Sequence, residues 1–579
     1  MATLEEKRHS LAHLLAMAVL KHDPKAKLAI GPAIDTGFYY DVEFSPEKTP
    51  SPEDLPTLEK EMRALLHQKL QFERREVTAG EALAQFKENP YKRELIDDLE
   101  KQGETISLYT TGNFVDLCRG GHVDSTGDIE VKSFALSHLA GAYWRGDEKN
   151  KMLTRIYGLA FETEELLKGY LTQQEEAKKR DHRKIAKEQD LLVFSDLVGT
   201  GMPMFTPKGN IIRNGIIDFS RELNRELGFQ EVHTPNVNKA ELFKISGHYD
   251  KYKDDLLTVH SQYSEESFFL KPMNCPQHTQ IYASRPRSYR DLPIRYSDFA
   301  NLYRDERPGE LSGLTRLRSF AQDDGHTFCT QDQIEGEISR ILGAIQKALA
   351  TYKIDYWMRL SLRDITNKEK YLGEDTIWEQ AEMIMRKLLQ DKSITFREAA
   401  GEAAFYGPKI DIMAVDALGR EWQISTIQLD FNQPNRFGLT YVDTDGTEKT
   451  PVMIHRALVG SPDRFMGILI EHYAGAFPLW LSPVQVKILP IGEKHREYGQ
   501  QILATLQKAD VRVELDDSDE SLGKKVRNAK TEKVPYFVVL GDKEMTDQTV
   551  SLESRSEKVG VISIEELVEK LREETVTKK

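Results

Sequence analysis

The feature that most narrows the possible folds is an alternation that begins after Trp480-Leu481-Ser482-Pro483. VQVKILPI is followed by a helix-patterned segment from Tyr498 to Ala509, then VRVEL, a second helix pattern from Leu522 to Thr531, PYFVVLG, a further strand and a last helix. Strands separated by helix-length segments pair through crossovers, so residues 483–579 are predicted to form a small α/β domain. The chain as a whole holds more than this. Its 579 residues correspond to about four domains at roughly 150 residues each.

At the other end, Leu11, Leu14, Leu15, Val19 and Leu20 recur at helical spacing from Leu4 to Lys21, and the turn-like His22-Asp23-Pro24 ends the run. His9 and His13, four apart, share a face of that helix. Ala33 to Phe44 and Ile106 to Val115 read as β-rich and Leu55 to Gln68 as helix, so the first unit is α+β and ends near Phe161. Residues 162–190 are Gly-poor helix formers and predict a linker helix. Lys178, Lys179, Arg180, Arg183, Lys184 and Lys187 cluster near its end, as a solvated face or as a contact for RNA phosphates. A large third unit, 191–482, alternates β-rich runs, helices and long polar loops.

Composition closes off several classes. With 79 basic and 93 acidic residues the net charge is −14, which excludes a simple nucleic-acid-coating protein and confines any RNA contact to local basic patches. The interspersed charges and 39% hydrophobic content exclude global disorder. Cys118, Cys275 and Cys329 are the only cysteines, too few and too odd in number for a disulfide framework. They imply a reducing compartment and cysteines used as core or as ligands. The apolar N-terminal stretch is cut by His13, and no run of about 18 uninterrupted apolar residues occurs, so a cytoplasmic protein with no membrane association is expected.

Three groups of residues carry chemistry. Tyr303-Arg304-Asp305-Glu306-Arg307 and Leu314 to Phe320 flank a polar, Gly-containing loop and read as strand, loop, strand. Arginines placed there suit bidentate binding of phosphate or carboxylate, or else surface salt bridges. Cys275, His326 and His455 are a thiolate and two imidazoles suited to zinc with one position open, although lone cysteines and histidines are commonly core. His9 and His13 (H-x-x-x-H) with Cys118 and His122 (C-x-x-x-H, in DLCRGGHV) read on spacing alone as a four-ligand zinc site.

Upstream of the arginine hairpin lies IIRNGIIDFSRELNRELGFQEVHTPNV, and downstream HRALVGSPDRFMGILIEHYAG, where Arg464 enters an amphipathic helix. Together the three segments resemble the motifs of class II aminoacyl-tRNA synthetases. KPMNCPQH, RSFAQDDGHTF, FYGPKIDI, WQISTIQLDF and PVMIHRALVGS are similar to those of the threonyl-tRNA synthetases, and the resemblance runs from about His9 to the C-terminus. It implies an α+β multidomain protein: an editing domain (1–161), the linker helix (162–190), a class II antiparallel-sheet catalytic domain (191–482) and an anticodon-binding domain (483–579). The family's N-terminal ubiquitin-like module is expected to be absent, since the editing pattern begins at His9.

The resemblance also implies the chemistry. Threonine would be attached to threonine tRNA through threonyl adenylate, with Mg²⁺ accompanying ATP and one Zn²⁺ per subunit on Cys275, His326 and His455. Arg304, Glu306, Arg316, Phe320, Gln423, Thr426 and Arg464 would bind ATP, and Gln322, Asp324 and Gln428 would bind threonine. His248, in SGHYDKY, would accept a proton during transfer. His9, His13, Lys92, Asp116, Cys118 and His122 would form a metal-free pocket that hydrolyses mischarged seryl-tRNA. Editing is needed because serine keeps the hydroxyl, and its missing methyl is worth only about 1–3 kcal/mol. Arg527 and Glu544 would contact the anticodon, Asp519 and Glu553 stand where Asn and a basic residue are common, and Arg555 is a candidate replacement contact. The segment from Ile211 to Val237 would build a homodimer interface. Two other classes remain open: a noncatalytic synthetase paralogue acting as an RNA-binding regulator, and a metallohydrolase centred on the N-terminal His/Cys cluster.

Overall fold

Helix Leu4–His22 opens with a reciprocal cap. Thr3 accepts from the Glu6 N–H at 3.2 Å and Glu6 reaches back to the Thr3 N–H at 2.7 Å, satisfying donors that a helix start leaves unpaired. Its apolar face buries Leu11, Leu14, Leu15 and Val19 against Phe38, Tyr40 and Val42 of strand Gly37–Glu43 and Leu58 and Met62 of helix Leu55–Leu66, each side chain contributing roughly 1.5–3 kcal/mol of burial. That strand belongs to a five-stranded antiparallel sheet with Met152–Ala160 and Phe134–Tyr143. The other predicted β-rich stretch is a hairpin, Ser107–Thr111 with Phe114–Leu117, turning at Gly112 (φ 59°).

The computed structural model describes residues 2–579, which divide into two compact units, one ending at Glu175 and one running from Glu176 to Lys579. The division falls inside helix Glu164–Arg180. The predicted linker helix is thus two helices: a second, His182–Glu188, follows a break at Asp181, whose carboxylate caps it by accepting from the Arg183 N–H at 2.8 Å. Much of its basic charge is spent locally. Lys179 pairs with Glu176 at 2.8 Å, Arg183 with Asp181 at 2.5 Å, and Arg180 donates to the His472 carbonyl at 3.1 Å.

The second unit is built on an eight-stranded sheet in the order Gln230–Glu231, Ile294–Asp298, Asp324–Cys329, Val452–Ala457, Glu421–Asp430, Lys409–Val415, Asp355–Leu362 and Phe396–Ala400. The inner six strands are antiparallel and each outer strand pairs parallel. Helices Pro207–Leu227, Ile334–Tyr352 and Pro462–His472 share one core with it. The first has Thr206 as N-cap, Pro at its first turn and Gly228 (φ 80°) as left-handed C-cap. The register places His326 directly opposite His455, and His455 opposite Gln428.

The C-terminal sheet is mixed. Val513–Leu515, Val486–Pro490 and Tyr536–Leu540 are parallel, as the alternation predicts, but Thr549–Ser554 and Lys558–Ser563 continue it antiparallel. The stretch from Leu540 to Thr549 holds only a short helix, too little for a parallel crossover, which takes a dozen or more residues. Arg512 donates to the carbonyls of Leu479, Trp480 and Ser482 at 2.8–3.1 Å, and Arg555 to those of Lys533, Ala476 and Phe477 at 2.6–3.0 Å. Arg555 therefore ties the sheet to Ala476 and Phe477 ahead of it and is not free to serve as the candidate replacement contact. No described helix is long and apolar enough to cross a membrane.

Candidate active sites

A cavity of about 520 Å³ in the second unit is lined by Arg304, Glu306, Arg316, Phe320, Gln322, Gln423, Thr426, Gln428 and Arg464. Arg304 and Arg316, expected on strands, are not on them. The paired strands are only Asn301–Tyr303 and Ser319–Ala321, and Arg304 and Arg316 lie in the loop between them. That loop contains Pro308, which cannot donate to a ladder, and Gly313 at φ 47°. Instead it is held by the Arg304 N–H on the Arg318 carbonyl at 3.0 Å and the Arg318 guanidinium on the Glu306 carbonyl at 2.8 Å.

Arg316 pairs with Glu306 at 2.8 Å and Glu310 at 2.9 Å, while the Arg304 guanidinium lies over the Phe320 ring, 5.3 Å from its centroid. Arg464 is held by the first turn of its helix, where Ser461 accepts from its N–H at 3.3 Å; its Nε has no partner among the described residues. Burial lowers its proton affinity below the ordinary guanidinium value. Fixed guanidinium forks beside a stacking ring suit a polyanion attached to a flat base. Asp411, which sequence reasoning missed, is fully buried beneath this wall and accepts from Gln423 at 2.8 Å, Ser361 at 2.7 Å and Arg359 at 3.0 Å.

Beside the cavity, the ligand atoms of Cys275, His326 and His455 lie within 4.8 Å of one another, all buried. His326 Nε2 and His455 Nδ1 face each other at 3.0 Å, while the other ring nitrogens are taken: His455 Nε2 by Asp430 at 2.9 Å and His326 Nδ1 by His278 at 2.7 Å. Outer partners of this kind orient imidazoles for a metal. Asp324 is 3.7 Å from His326 Nε2, and burial pushes its carboxyl up to about 6. His248 is buried with Nε2 3.9 Å from Cys275 Sγ and Nδ1 2.7 Å from Ser246 Oγ. Tyr406 stacks on His455, with ring centroids 4.6 Å apart, and bonds Gln428. His278, Asp430 and Tyr406 lie within KPMNCPQH, WQISTIQLDF and FYGPKIDI, so the motifs contained them without assigning them. A further grouping of Asp181, His182 and Glu471 is a tie: His182 meets Glu471 at 2.6 Å and accepts from the Leu314 N–H at 2.9 Å, leaving neither nitrogen free.

In the first unit His9, His13, Cys118 and His122 also bring their ligand atoms within 4.8 Å. Cys118 Sγ is 3.4 Å from His9 Nε2 and 3.2 Å from His122 Nε2. Behind them Lys92 and Asp116 form a buried ion pair at 2.5 Å, which Tyr40 completes by donating to Asp116 at 2.5 Å and accepting from Lys92 at 3.2 Å; His13 Nε2 stands 3.7 Å from Asp116. Burial lowers His9 and His13, pushes His122 down to about 2 and raises the Cys118 thiol to about 11. The neutral His9 imidazole thus borders a cavity of about 490 Å³ lined also by Pro32, Gly120 and Gly121, and the protonated Cys118 thiol borders a second of about 400 Å³ with Ser107 and Leu117. Tyr40, Ser10 and Phe72, which stacks on His122 at 4.8 Å, were not legible as members.

The C-terminal candidates each have local surroundings of their own. Arg527 is exposed on helix Leu522–Thr531. The Glu544 carboxylate is taken by its own helix start, accepting from the Gly541 N–H at 2.9 Å and from Ser551 Oγ at 2.8 Å. Asp519 pairs with Arg496, and Glu553 lies 3.8 Å from Lys558.

The antiparallel sheet and its arginine-lined cavity define a class II aminoacyl-tRNA synthetase, and the profile of the class II core domain for the G, H, P, S and T enzymes matches residues 257–473. An anticodon-binding domain matches residues 485–574, and the second additional domain of threonyl and alanyl tRNA synthetases matches 106–157. The threonine–tRNA ligase of Rubrobacter xylanophilus is 48% identical over 552 residues, 95% of this chain and 85% of that protein. That of Gloeobacter violaceus is 48% identical over 579 residues, 98% of this chain and 91% of that protein. The RNA-binding domain of threonyl-tRNA synthetase from Cryptosporidium parvum superposes with a TM-score of 0.65 at 36% identity, covering 68% of this chain and 98% of that one. The chain belongs to the threonine–tRNA ligase family. Its function is threonyl-tRNA charging with editing, and neither a noncatalytic paralogue nor a metallohydrolase is favoured.

Proposed function

We propose that ATP binds in the 520 Å³ cavity with Arg304 on the α-phosphate, Arg316 and Arg464 toward the outer phosphates, Phe320 against the adenine and Glu306 accepting from it. Gln423 and Thr426 line the nucleotide, and Gln322, Asp324 and Gln428 the threonine. The convergence of all of these but Asp324 on one cavity, next to Cys275, His326 and His455 with Asp324 3.7 Å from His326 Nε2, carries the reading. A carboxylate oxygen of threonine attacks the α-phosphorus as the bond to pyrophosphate breaks, and the guanidinium forks stabilise the charge on the phosphoryl oxygens. ATP enters with Mg²⁺. The terminal ribose hydroxyl of tRNA then attacks the carbonyl carbon, AMP leaves, and His248 takes the hydroxyl proton.

Cys275, His326 and His455 fit zinc: one sulfur and two imidazole nitrogens converge, and Asp430 and His278 already occupy the outward nitrogens. These residues would hold zinc, which would supply a Lewis acid toward a substrate with both an amino group and a side-chain hydroxyl; valine lacks the hydroxyl. Serine can, and the His9, His13, Lys92, Asp116, Cys118 and His122 pocket hydrolyses its ester. Arg527 and the start of helix Asp542–Asp547, which Glu544 holds in place, belong to the anticodon contact surface, and the boundaries 1–161, 162–190, 191–482 and 483–579 describe the division of labour in a cytoplasmic enzyme. A homodimer is supported by the exposed apolar run Val193, Phe194, Leu197 and Val198 just ahead of helix Pro207–Leu227.

The test is threonine-dependent exchange of pyrophosphate into ATP. It should be present in the wild type and lost in Arg464→Ala. Deacylation of preformed seryl-tRNA should fail in His9→Ala/His13→Ala while exchange continues. An exchange-competent Arg464→Ala, or a double variant that clears seryl-tRNA at the wild-type rate, overturns the corresponding assignment.

A further inference from the structure

Ser10 follows His9 on helix Leu4–His22 and is fully buried. Its Oγ accepts from the Val123 N–H at 3.1 Å and lies 3.1 Å from His122 Nδ1. A backbone N–H can only donate, and His122 Nδ1 is the one partner of Oγ among the described residues that can accept, so the hydroxyl proton goes to His122 Nδ1. An imidazole that accepts at Nδ1 carries its proton on Nε2, and Nε2 faces Cys118 Sγ at 3.2 Å. The sulfur also accepts from the Gly120 N–H at 3.4 Å. Its own hydrogen finds His9 Nε2 at 3.4 Å, nearer than the Gly120 carbonyl oxygen at 4.0 Å. The His9 ring borders the cavity.

Resting on the hydrolytic reading of this pocket, we propose that Ser10 is a positioning residue of the editing reaction. It sets the direction of a hydrogen-bond chain that runs from Val123 through Ser10, His122 and Cys118 to His9. The neutral imidazole and protonated thiol that burial enforces here are the states in which such a direction is defined. Two imidazoles that stand at similar distances from one sulfur thereby take opposite roles. His122 donates to the thiol, and His9 presents the accepting nitrogen at the cavity. Without the hydroxyl, His122 can place its proton on either nitrogen, and the thiol can turn its hydrogen from His9 to His122.

The experiment uses the full-length chain. Ser10→Ala should deacylate preformed seryl-tRNA about tenfold more slowly, the scale of one lost buried hydrogen bond, while Ser10→Thr, which keeps the hydroxyl, should stay close to wild type. In ¹⁵N-histidine spectra, with His122 assigned from its loss in His122→Ala, the wild-type ring should show the proton on Nε2, and Ser10→Ala should show a mixture of the two forms. A wild-type His122 protonated on Nδ1, or a Ser10→Ala variant as fast as wild type, overturns the proposal. His9→Ala is the reference. Should it also clear seryl-tRNA at the wild-type rate, the hydrolytic reading itself fails, and the His122 spectrum still decides the direction of the chain. If Ser10→Ala does not fold, the wild-type spectrum alone decides.

Discussion

Replacing Lys92 with Met isolates what holds the first unit together at its polar centre. The Lys92 and Asp116 side chains are each 3% exposed and meet at 2.5 Å, so removing the cation strands a carboxylate away from water. Breaking a buried pair from one side costs about 3–5 kcal/mol. Asp116 keeps two donors, the Tyr40 hydroxyl at 2.5 Å and the Leu117 N–H at 2.8 Å, which places the expected loss near the lower end, about 3 kcal/mol. At roughly 2–4 °C per kcal/mol for a unit of this size, the first unit should melt about 6–12 °C lower. Because a multidomain chain does not unfold in one step, the melt is followed by amide exchange in peptides covering strand Gly37–Glu43. Threonine-dependent exchange, which the proposed function assigns to the second unit, should stay within about twofold of wild type, a shift too small to reflect a lost transition-state contact. Adding Asp116→Asn removes the stranded charge and should return at least about 1 kcal/mol of the loss, as coupled neighbours do. A single variant that melts within about 2 °C of wild type, less than 1 kcal/mol for a unit of this size, or a double variant no more stable than the single, refutes this account of the pair.

Metal content should be one zinc per chain by elemental analysis, with Cys275→Ser losing both the metal and threonine activation. A second zinc that disappears in His13→Ala would instead make the N-terminal cluster a metal site. Cys118, its thiol raised to about 11, stays protonated below that pH. Its alkylation by iodoacetamide, read by peptide mass spectrometry, should therefore keep rising about tenfold per pH unit from 7 to 10. A plateau by pH 9 would show an ordinary thiol. Arg555, occupied by backbone carbonyls, does not replace the basic side chain common at position 553. Glu553→Arg should then improve rejection of a tRNA with substituted second and third anticodon bases by about tenfold in kcat/KM, one contact's worth, and an unchanged ratio excludes the acidic residue as a determinant.

How much of this was readable in the chain depends on the range of the interaction. The reciprocal cap of Thr3 and Glu6, the Pro and Gly that bound helix Pro207–Leu227, and the shared face of His9 and His13 all involve residues within a turn or at one helix end. Spacing alone determines them, because a helix repeats every 3.6 residues. The family motifs likewise named the residues that line the 520 Å³ cavity, since each motif is a short segment with its own local shape. Spacing could not settle whether Glu544 faces RNA or caps its own helix, nor whether the linker is one helix or two. Tertiary structure alone decided the partners. Tyr40 reaches Asp116 across 76 positions, Ser10 reaches His122 across 112, and Arg555 finds carbonyls 78 and 79 residues earlier. A tyrosine in an alternating strand or a serine inside a helix carries no sign of such a partner. What makes it functional is the desolvated space created when distant segments pack, where each buried polar atom must find a partner or raise the cost of folding.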